Sequence, residues 1–176
     1  PYYEKHHQLK VPDPAIHEAI QLAKRYIKER KLPDAGIDLL DRTMAALCLV
    51  NDSGARTIEN VTKQFQVWCQ DEKSENLHSL EEWKWFYQQV KQDISPVLWE
   101  SNPSDESPEA FFQVEQLQEH FQNLLEKMTI AASIRHTEVK KSDIAAIVSQ
   151  KTGIPIGKVQ SKERERLLKM EEVLKE

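Results

Sequence analysis

Asp13-Pro14-Ala15-Ile16-His17-Glu18-Ala19-Ile20-Gln21-Leu22-Ala23-Lys24-Arg25-Tyr26-Ile27 is followed, after four charged residues, by Leu32-Pro33-Asp34-Ala35-Gly36-Ile37-Asp38-Leu39-Leu40. The pair reads as two amphipathic helices joined by a sharp turn. Ala15, Ile16, Ala19, Ile20, Ala23 and Ile27 recur at helical spacing and predict one apolar stripe over residues 14–30. Asp13 has the side chain of an N-cap, and Pro14 falls at the first helical position, where a missing N–H costs nothing. Leu32-Pro33-Asp34 closes this helix and opens the next, because Pro disfavours helical geometry at the residue before it. Ile37, Leu40, Met44 and Leu47 then carry a second helix to about Val50.

Upstream, Tyr2 to His7 reads as the tail of a helix, and Leu9 and Val11 alternate with polar neighbours in a short extended stretch. Downstream, Asn51-Asp52-Ser53-Gly54 is a cluster of turn formers and predicts a boundary. Beyond it the spacing becomes that of heptads. Ile58, Val61, Phe65 and Trp68 form one stripe; Leu80, Trp83, Tyr87, Val90 and Ile94 a second; Val114, Leu117, Phe121, Leu124, Met128 and Ala131 a third. An ordinary helical bundle and a projecting antiparallel coiled-coil hairpin both satisfy this pattern. Its seam is predicted to comprise Phe65, Trp68, Trp83, Val90, Val114, Leu117, Phe121 and Leu124. Ten of the thirteen aromatic residues lie between positions 65 and 121. Off the seam, Trp85, Phe86 and Trp99 are candidates for an exposed partner surface, the alternative being that they pack against the rest of the molecule. Glu100 to Glu109 carries four acids, no base and two prolines, and reads as a loop. After His136, Glu138 to Lys140 is a second short extended piece. Ile144, Ala145, Ile147 and Val148 form a helix closed by Gly153, which suits a left-handed C′ position. Ser161 caps a predicted last helix with Leu167, Leu168, Met170 and Leu174 on its apolar face.

Composition narrows the function classes. The chain has 176 residues, 39% of them hydrophobic, enough for a real core. Its 24 basic against 29 acidic residues give a net charge of −5, which argues against a nucleic-acid grip. No apolar run is long enough to span a membrane. Two cysteines, Cys48 and Cys69, do not make a stapled scaffold and fit a reducing compartment. Of the four glycines none begins a phosphate-binding G-x-x-x-x-G-K-[ST] loop. The first residue is Pro1 rather than Met, so the simplest reading is a fragment of a longer protein.

The chemical constellations are mostly negative. His6-His7, with His17, invites a metal reading, but adjacent residues on a helix point about 100° apart and cannot share one ion undistorted. Cys48 and Cys69 sit in apolar helical patterns, as packed thiols do. The sequence nominates no catalytic residue and no metal ligand.

Two separated stretches resemble a known family. Tyr3-Glu4-x-His6-His7, Asp13-x-Ala15, and Arg25-Tyr26-Ile27-x-x-Arg30-x-Leu32-Pro33-Asp34-x-x-Ile37-Asp38-Leu39-Leu40-Asp41 are similar to the small helical lid of the first ATPase module in class I Clp ATPases. These are the two-ring AAA+ unfoldases that include ClpB, ClpC and ClpV. Downstream, Asp143-Ile144-Ala145, Thr152-Gly153-Ile154-Pro155-Ile156 and Glu163-x-x-x-Leu167-Leu168-x-Met170-Glu171 resemble the end of that lid and the linker to the second module. The chain departs from the pattern at Ala35-Gly36 (usually Lys-Ala), Arg42-Thr43 (usually Glu-Ala), Lys140 (a capping Thr) and Lys151 (a Trp), as a divergent paralogue would.

The resemblance implies an all-α lid, with at most one two-stranded ladder between Gln8–Val11 and about Glu138–Lys140, interrupted by a coiled-coil-like helical insertion. Residues 1–44 would be the first part of the lid, 45–137 the inserted middle domain, 138–160 the second part of the lid, and 161–176 a linker helix toward a second ATPase module. The insertion looks longer than the middle domain of ClpC and shorter than that of ClpB. Ile20, Pro33 and Ile37 would pack on the adenine of ATP or ADP, held with Mg by a large subdomain outside the chain; plain helix-junction packing is the alternative for these three residues. The parent would be a cytoplasmic homohexamer acting on substrate proteins, with a peptidase or an adaptor or chaperone as further partner. A nucleotide-independent helical adaptor or scaffold is the competing class, and Walker motifs in the reading frame on both sides of the segment would decide against it. The isolated chain is expected to show no ATP turnover, because it carries neither a phosphate loop nor the acidic residue that holds Mg. A phosphate-release assay checks this, and turnover that survives further purification refutes it.

Overall fold

The computed structural model describes residues 2–71, 78–100 and 108–154. Eight α-helices account for most of them: α1 (Tyr2–His7), α2 (Asp13–Tyr26), α3 (Asp34–Leu49), α4 (Ala55–Asp71), α5 (Leu80–Asp93), α6 (Pro96–Glu100), α7 (Val114–Ser133) and α8 (Lys141–Thr152). A π-turn, Val50–Gly54, joins α3 to α4, and a 3₁₀ turn, Pro108–Ala110, precedes α7. Among the described residues there is no sheet. The ladder reduces to one parallel bridge between Lys10 and Glu138. In it Lys10 N–H donates to Thr137 O at 3.0 Å, and Val139 N–H to Lys10 O at 2.9 Å. The protein is therefore all-α, with a long inserted helical segment. The linker helix expected after Ser161 and most of the acidic loop lie outside the described residues.

Two apolar cores organise these helices. The first is built from α2, α3 and α8, with Leu9 and Val139 from the bridged segments and Val97 from α6. The second takes Val50 from the π-turn, Ile58, Val61 and Phe65 from α4, Trp83, Phe86, Tyr87 and Val90 from α5, Leu98 and Trp99 from α6, and Leu117, Phe121, Leu124, Leu125 and Met128 from α7. Phe65 sits 5.3 Å from Phe121 and edge-on to Trp83 at 5.8 Å, and Tyr87 meets Trp99 edge-on at 5.3 Å. Those are the separations aromatic quadrupoles favour. The seam read from heptad spacing is this core: six of its eight residues are buried, and Trp68 and Val114 pack against it half-exposed. Each fully buried aliphatic or Phe side chain stabilises the fold by roughly 1.5–3 kcal/mol.

The local reading needs correction in several places. Phe86 is 6% and Trp99 1% exposed, so neither is on the exterior. Phe86 stacks on Trp68 at 4.9 Å, and Trp99 is carried inward by α6, a short helix outside the heptad register. Asn51-Asp52-Ser53-Gly54 does not break the helix, because the backbone stays helical from Leu49 to Ala55 through the π-turn. Ser53 Oγ donates to Leu49 O at 3.0 Å and Thr57 Oγ1 to Ser53 O at 3.1 Å, so the polar side chains satisfy the helix instead of ending it. Helix α2 stops at Tyr26 rather than residue 30, since Ile27 turns out of the helix (φ −103°, ψ 93°) and buries its side chain in the first core. Its N-cap is Pro12, whose carbonyl accepts from Ala15 and Ile16, and Asp13 makes no cap hydrogen bond. The α2 stripe is narrower than predicted: Ala15, Ala19, Leu22 and Ala23 are buried, while Ile16 and Ile20 face outward.

The ends of α5 and α8 show how sequence sets the caps. Ser79 and Glu82 form a reciprocal capping box on α5, with Ser79 N–H donating to Glu82 Oε2 at 2.6 Å and Glu82 N–H to Ser79 Oγ at 3.3 Å. At α8, Asp143 Oδ2 accepts from Lys140 N–H at 2.8 Å, and because the Lys140 side chain has no acceptor, Asp143 N–H donates instead to the Lys140 carbonyl at 3.1 Å. Gly153 closes α8 at φ 70°, the left-handed geometry its sequence position predicted.

Two measurements test this arrangement. Burial pushes the Asp143 carboxyl above its usual range, against the lowering pull of the Lys140 amide, His136 and Lys140. A raised folded value means that the group's contribution to stability is full below about pH 4 and is lost as pH rises through that value. Asp143→Asn keeps an acceptor for Lys140 N–H, so urea denaturation across pH should show a flatter stability profile above about pH 4 than for the parent; identical profiles would count against the buried placement. Second, Trp99→Ala should cost about 3–5 kcal/mol and Trp85→Ala, 57% exposed, no more than about 0.5 kcal/mol. Equal losses in chemical denaturation would contradict the packing of α6.

Candidate functional site

The junction of α2 and α3 carries the most coherent exposed apolar face on the first core. Pro33 O accepts from Gly36 N–H at 3.0 Å and Ile37 N–H at 3.1 Å, so Pro33 opens α3 and Ile37 stands one turn further on. Gly36 is buried beneath the face: a β-carbon built there would lie 3.5 Å from Leu32 Cδ2 and 3.9 Å from Ile20 Cγ1. Leu32 and Ile20 therefore meet over Gly36, and because these are ordinary contact distances an alanine, as in the resembling family, would fit. Ile20 is 43%, Leu32 42% and Ile37 43% exposed, and Pro33 is exposed. Of the predicted residues, Ile20 lies with Leu32 beside Gly36, and Pro33 and Ile37 stand one turn apart at the start of α3. The sequence reads Leu32 as a helix stop and as part of the resembling stretch but not as a site residue; an apolar side chain in a polar junction is the signal that singles it out.

Charge borders this face. Asp38, one residue beyond Ile37, is shared by Arg30 Nη1 at 3.3 Å and Arg42 Nε at 2.9 Å. The arginine side chains remain more than half exposed. These exposed apolar side chains offer contact area to a hydrophobic or aromatic group, and the two guanidinium groups beside them are paired with Asp38. The face offers no nucleophile, acid or base.

Elsewhere the titratable groups serve the fold. His7 Nε2 lies 2.8 Å from Asp41 Oδ1, and Cys48 Sγ donates to His7 O at 3.2 Å. This Cys–His–Asp chain ties α1 to α3. Burial, with Asp52 nearby, pushes the Cys48 thiol up, which keeps it protonated and is the opposite of nucleophile activation. His17 Nδ1 contacts Asp13 O at 2.8 Å, within its own helix. Among the described residues no three His, Cys, Asp or Glu side chains are placed to hold a metal ion. An open cleft of about 590 Å³ lies between α1 and the start of α2, lined by Glu4, Lys5, Gln8, Leu9, Lys10, Val11, Pro12 and Glu138. Its charged lining is balanced, with Glu4 and Glu138 against Lys5 and Lys10. No described helix is long and apolar enough to cross a membrane.

Phe112, just before α7, is 84% exposed, and on the second core Trp85 is 57% exposed. It lies 6.4 Å from Trp68, which is sandwiched between His78 at 4.2 Å and Phe86 at 4.9 Å. Val67, one residue before Trp68, is also 57% exposed. Of the predicted partner residues only Trp85 reaches solvent.

Comparison with known proteins places this geometry. Residues 1–92 match the AAA lid domain family. The chaperone protein ClpB of Meiothermus ruber is 29% identical over 211 residues, covering 98% of this chain and 24% of that protein. ClpB of Porphyromonas gingivalis is 29% identical over 210 residues, with the same coverage. The ATP-dependent Clp protease ATP-binding subunit ClpC of Staphylococcus aureus is 26% identical over 174 residues, covering 99% of this chain and 18% of that protein. The longer alignments with ClpB mean that those relatives hold residues inside the aligned span that this chain lacks. The chain spans about a quarter or less of the length of the relatives it matches. With the family match covering more than half of its residues, the chain belongs to the AAA lid domain family.

Proposed function

We propose that the chain is the lid and inserted middle domain of a Clp-type ATPase that unfolds or remodels substrate proteins. The observation that carries this is the exposed face of Ile20, Leu32, Pro33 and Ile37 on a chain of the AAA lid family. In this reading the first core is the lid, and its face packs on the adenine of ATP or ADP, whose phosphates and Mg are held by a large subdomain outside this segment. Closure and release of the lid would convert nucleotide turnover into motion. The second core, with Trp85 and Val67 outward, would be the middle domain and would dock an adaptor, chaperone or neighbouring subunit. Residues 1–44 and 138–160 would form the lid, 45–137 the middle domain and 161–176 a linker toward a second module. The assembled protein would be a cytoplasmic homohexamer, with a peptidase as one further partner.

Half-burying an isoleucine against a heterocycle is worth about 1 kcal/mol. Ile20→Asp and Ile37→Asp, each placed in the longer polypeptide that carries this segment, are therefore expected to weaken binding of a fluorescent ATP analogue about tenfold or more, with the circular dichroism of the parent retained. Nucleotide affinity unchanged by both substitutions would overturn the lid-face reading and favour a nucleotide-independent adaptor or scaffold. For the second core, Trp85→Ser in the same polypeptide should alter ATPase regulation with stability intact.

A further inference from the structure

We propose that the π-turn Val50–Gly54 is a braced elbow, held at a fixed angle by α6 and by Asn51, so that the two cores move as one lever. Nucleotide plays no part in this inference, which stands or falls separately from the lid-face reading.

An added residue in a helical turn is a natural place for a hinge. Here the turn is pinned instead. Leu98 of α6 presses on it, since a β-carbon built at Gly54 would lie 3.6 Å from Leu98 Cδ1. Successive residues of α6 face different ways: Val97 is buried in the first core, Leu98 and Trp99 in the second. Glu100 Oε1 then accepts from Ser149 Oγ of α8 at 3.3 Å. This short helix is a wedge driven between the two bodies across the elbow.

The second brace is polar. Asn51 Nδ2–H donates to His136 O at 2.8 Å, and His136 N–H donates to Asn51 Oδ1 at 2.8 Å. One amide side chain thus imitates a strand neighbour for the backbone returning from α7. The adjoining residues are held in turn, Thr137 and Val139 both pairing with Lys10. The outgoing helix, the returning chain and the segment between α1 and α2 are thereby linked within a few residues. A tilt of the second core about the elbow would break the Asn51 pair and withdraw Val97 from the first core at once. Such combined losses make bending costly, so a rotation imposed on one core is passed to the other.

All four tryptophans lie in the inserted segment, so their fluorescence reports the second core, while amide exchange at Ala19 and Ile147 reports the first. In the full chain, thermal transitions read by the two should coincide. Asn51→Ala is expected to speed exchange at His136 about tenfold or more relative to Ala19 and Ile147. Combining it with Val97→Ala should separate the two transitions. If exchange at His136 stays within about twofold of the parent, or the double variant still melts both cores together, the brace is wrong and helix continuity alone couples them. Should that variant not fold, Asn51→Ala with Ser149→Ala, which removes no buried apolar group, is read by the same two criteria with the same consequences.

Discussion

Leu47 and Val50 stand three residues apart on one unbroken helical path, and each is buried in a different core. The rest of the architecture follows from that. Residues three apart lie on the same side of a helix, so one side serves the first body up to Leu47 and the second from Val50, where the π-turn begins. Once the path is continuous, the returning chain must come back beside the point of departure, which is where Asn51 meets His136.

The first core is assembled from parts far apart in sequence. Helices α2 and α3 precede the inserted segment and α8 follows it, and burial of Ile144, Ala145, Ile147 and Val148 against them closes the body. Alanines at 15, 19, 23 and 35 let those helices approach closely, which turns the bulkier Ile16, Ile20 and Ile37 outward. The apolar face is thus a by-product of close packing. The small residues make the core, and the large ones on the opposite edge remain available.

The polar groups follow a similar division of labour. Cys48, His7 and Asp41 lie in a chain whose residue types could support chemistry, yet the thiol is spent on a backbone carbonyl and held protonated by burial. Asp143 is buried at the start of α8, where its carboxylate accepts from the Lys140 N–H. In the first place the polar groups attach α1 to α3, and in the second they close the start of α8.

The sequence by itself determined the helices, the heptad seam and the Gly153 terminus, because periodicity, capping and left-handed geometry are local. Through resemblance it also pointed to Ile20, Pro33 and Ile37 and to a pairing near Lys10. Tertiary structure alone decided four matters. It kept the backbone helical through Asn51-Asp52-Ser53-Gly54, where local preference favours a turn, since two cores pull on either side. It drew Ile27 out of α2. It buried Trp99, because α6 owes its orientation to two bodies whose positions no local pattern encodes, and on α5 it buried Phe86 against Trp68 and left Trp85 outside. It also joined Asn51 to His136, eighty-five residues away. A side-chain amide has the same local propensities whether it ends a helix or clamps a distant segment, so only the fold could assign that role.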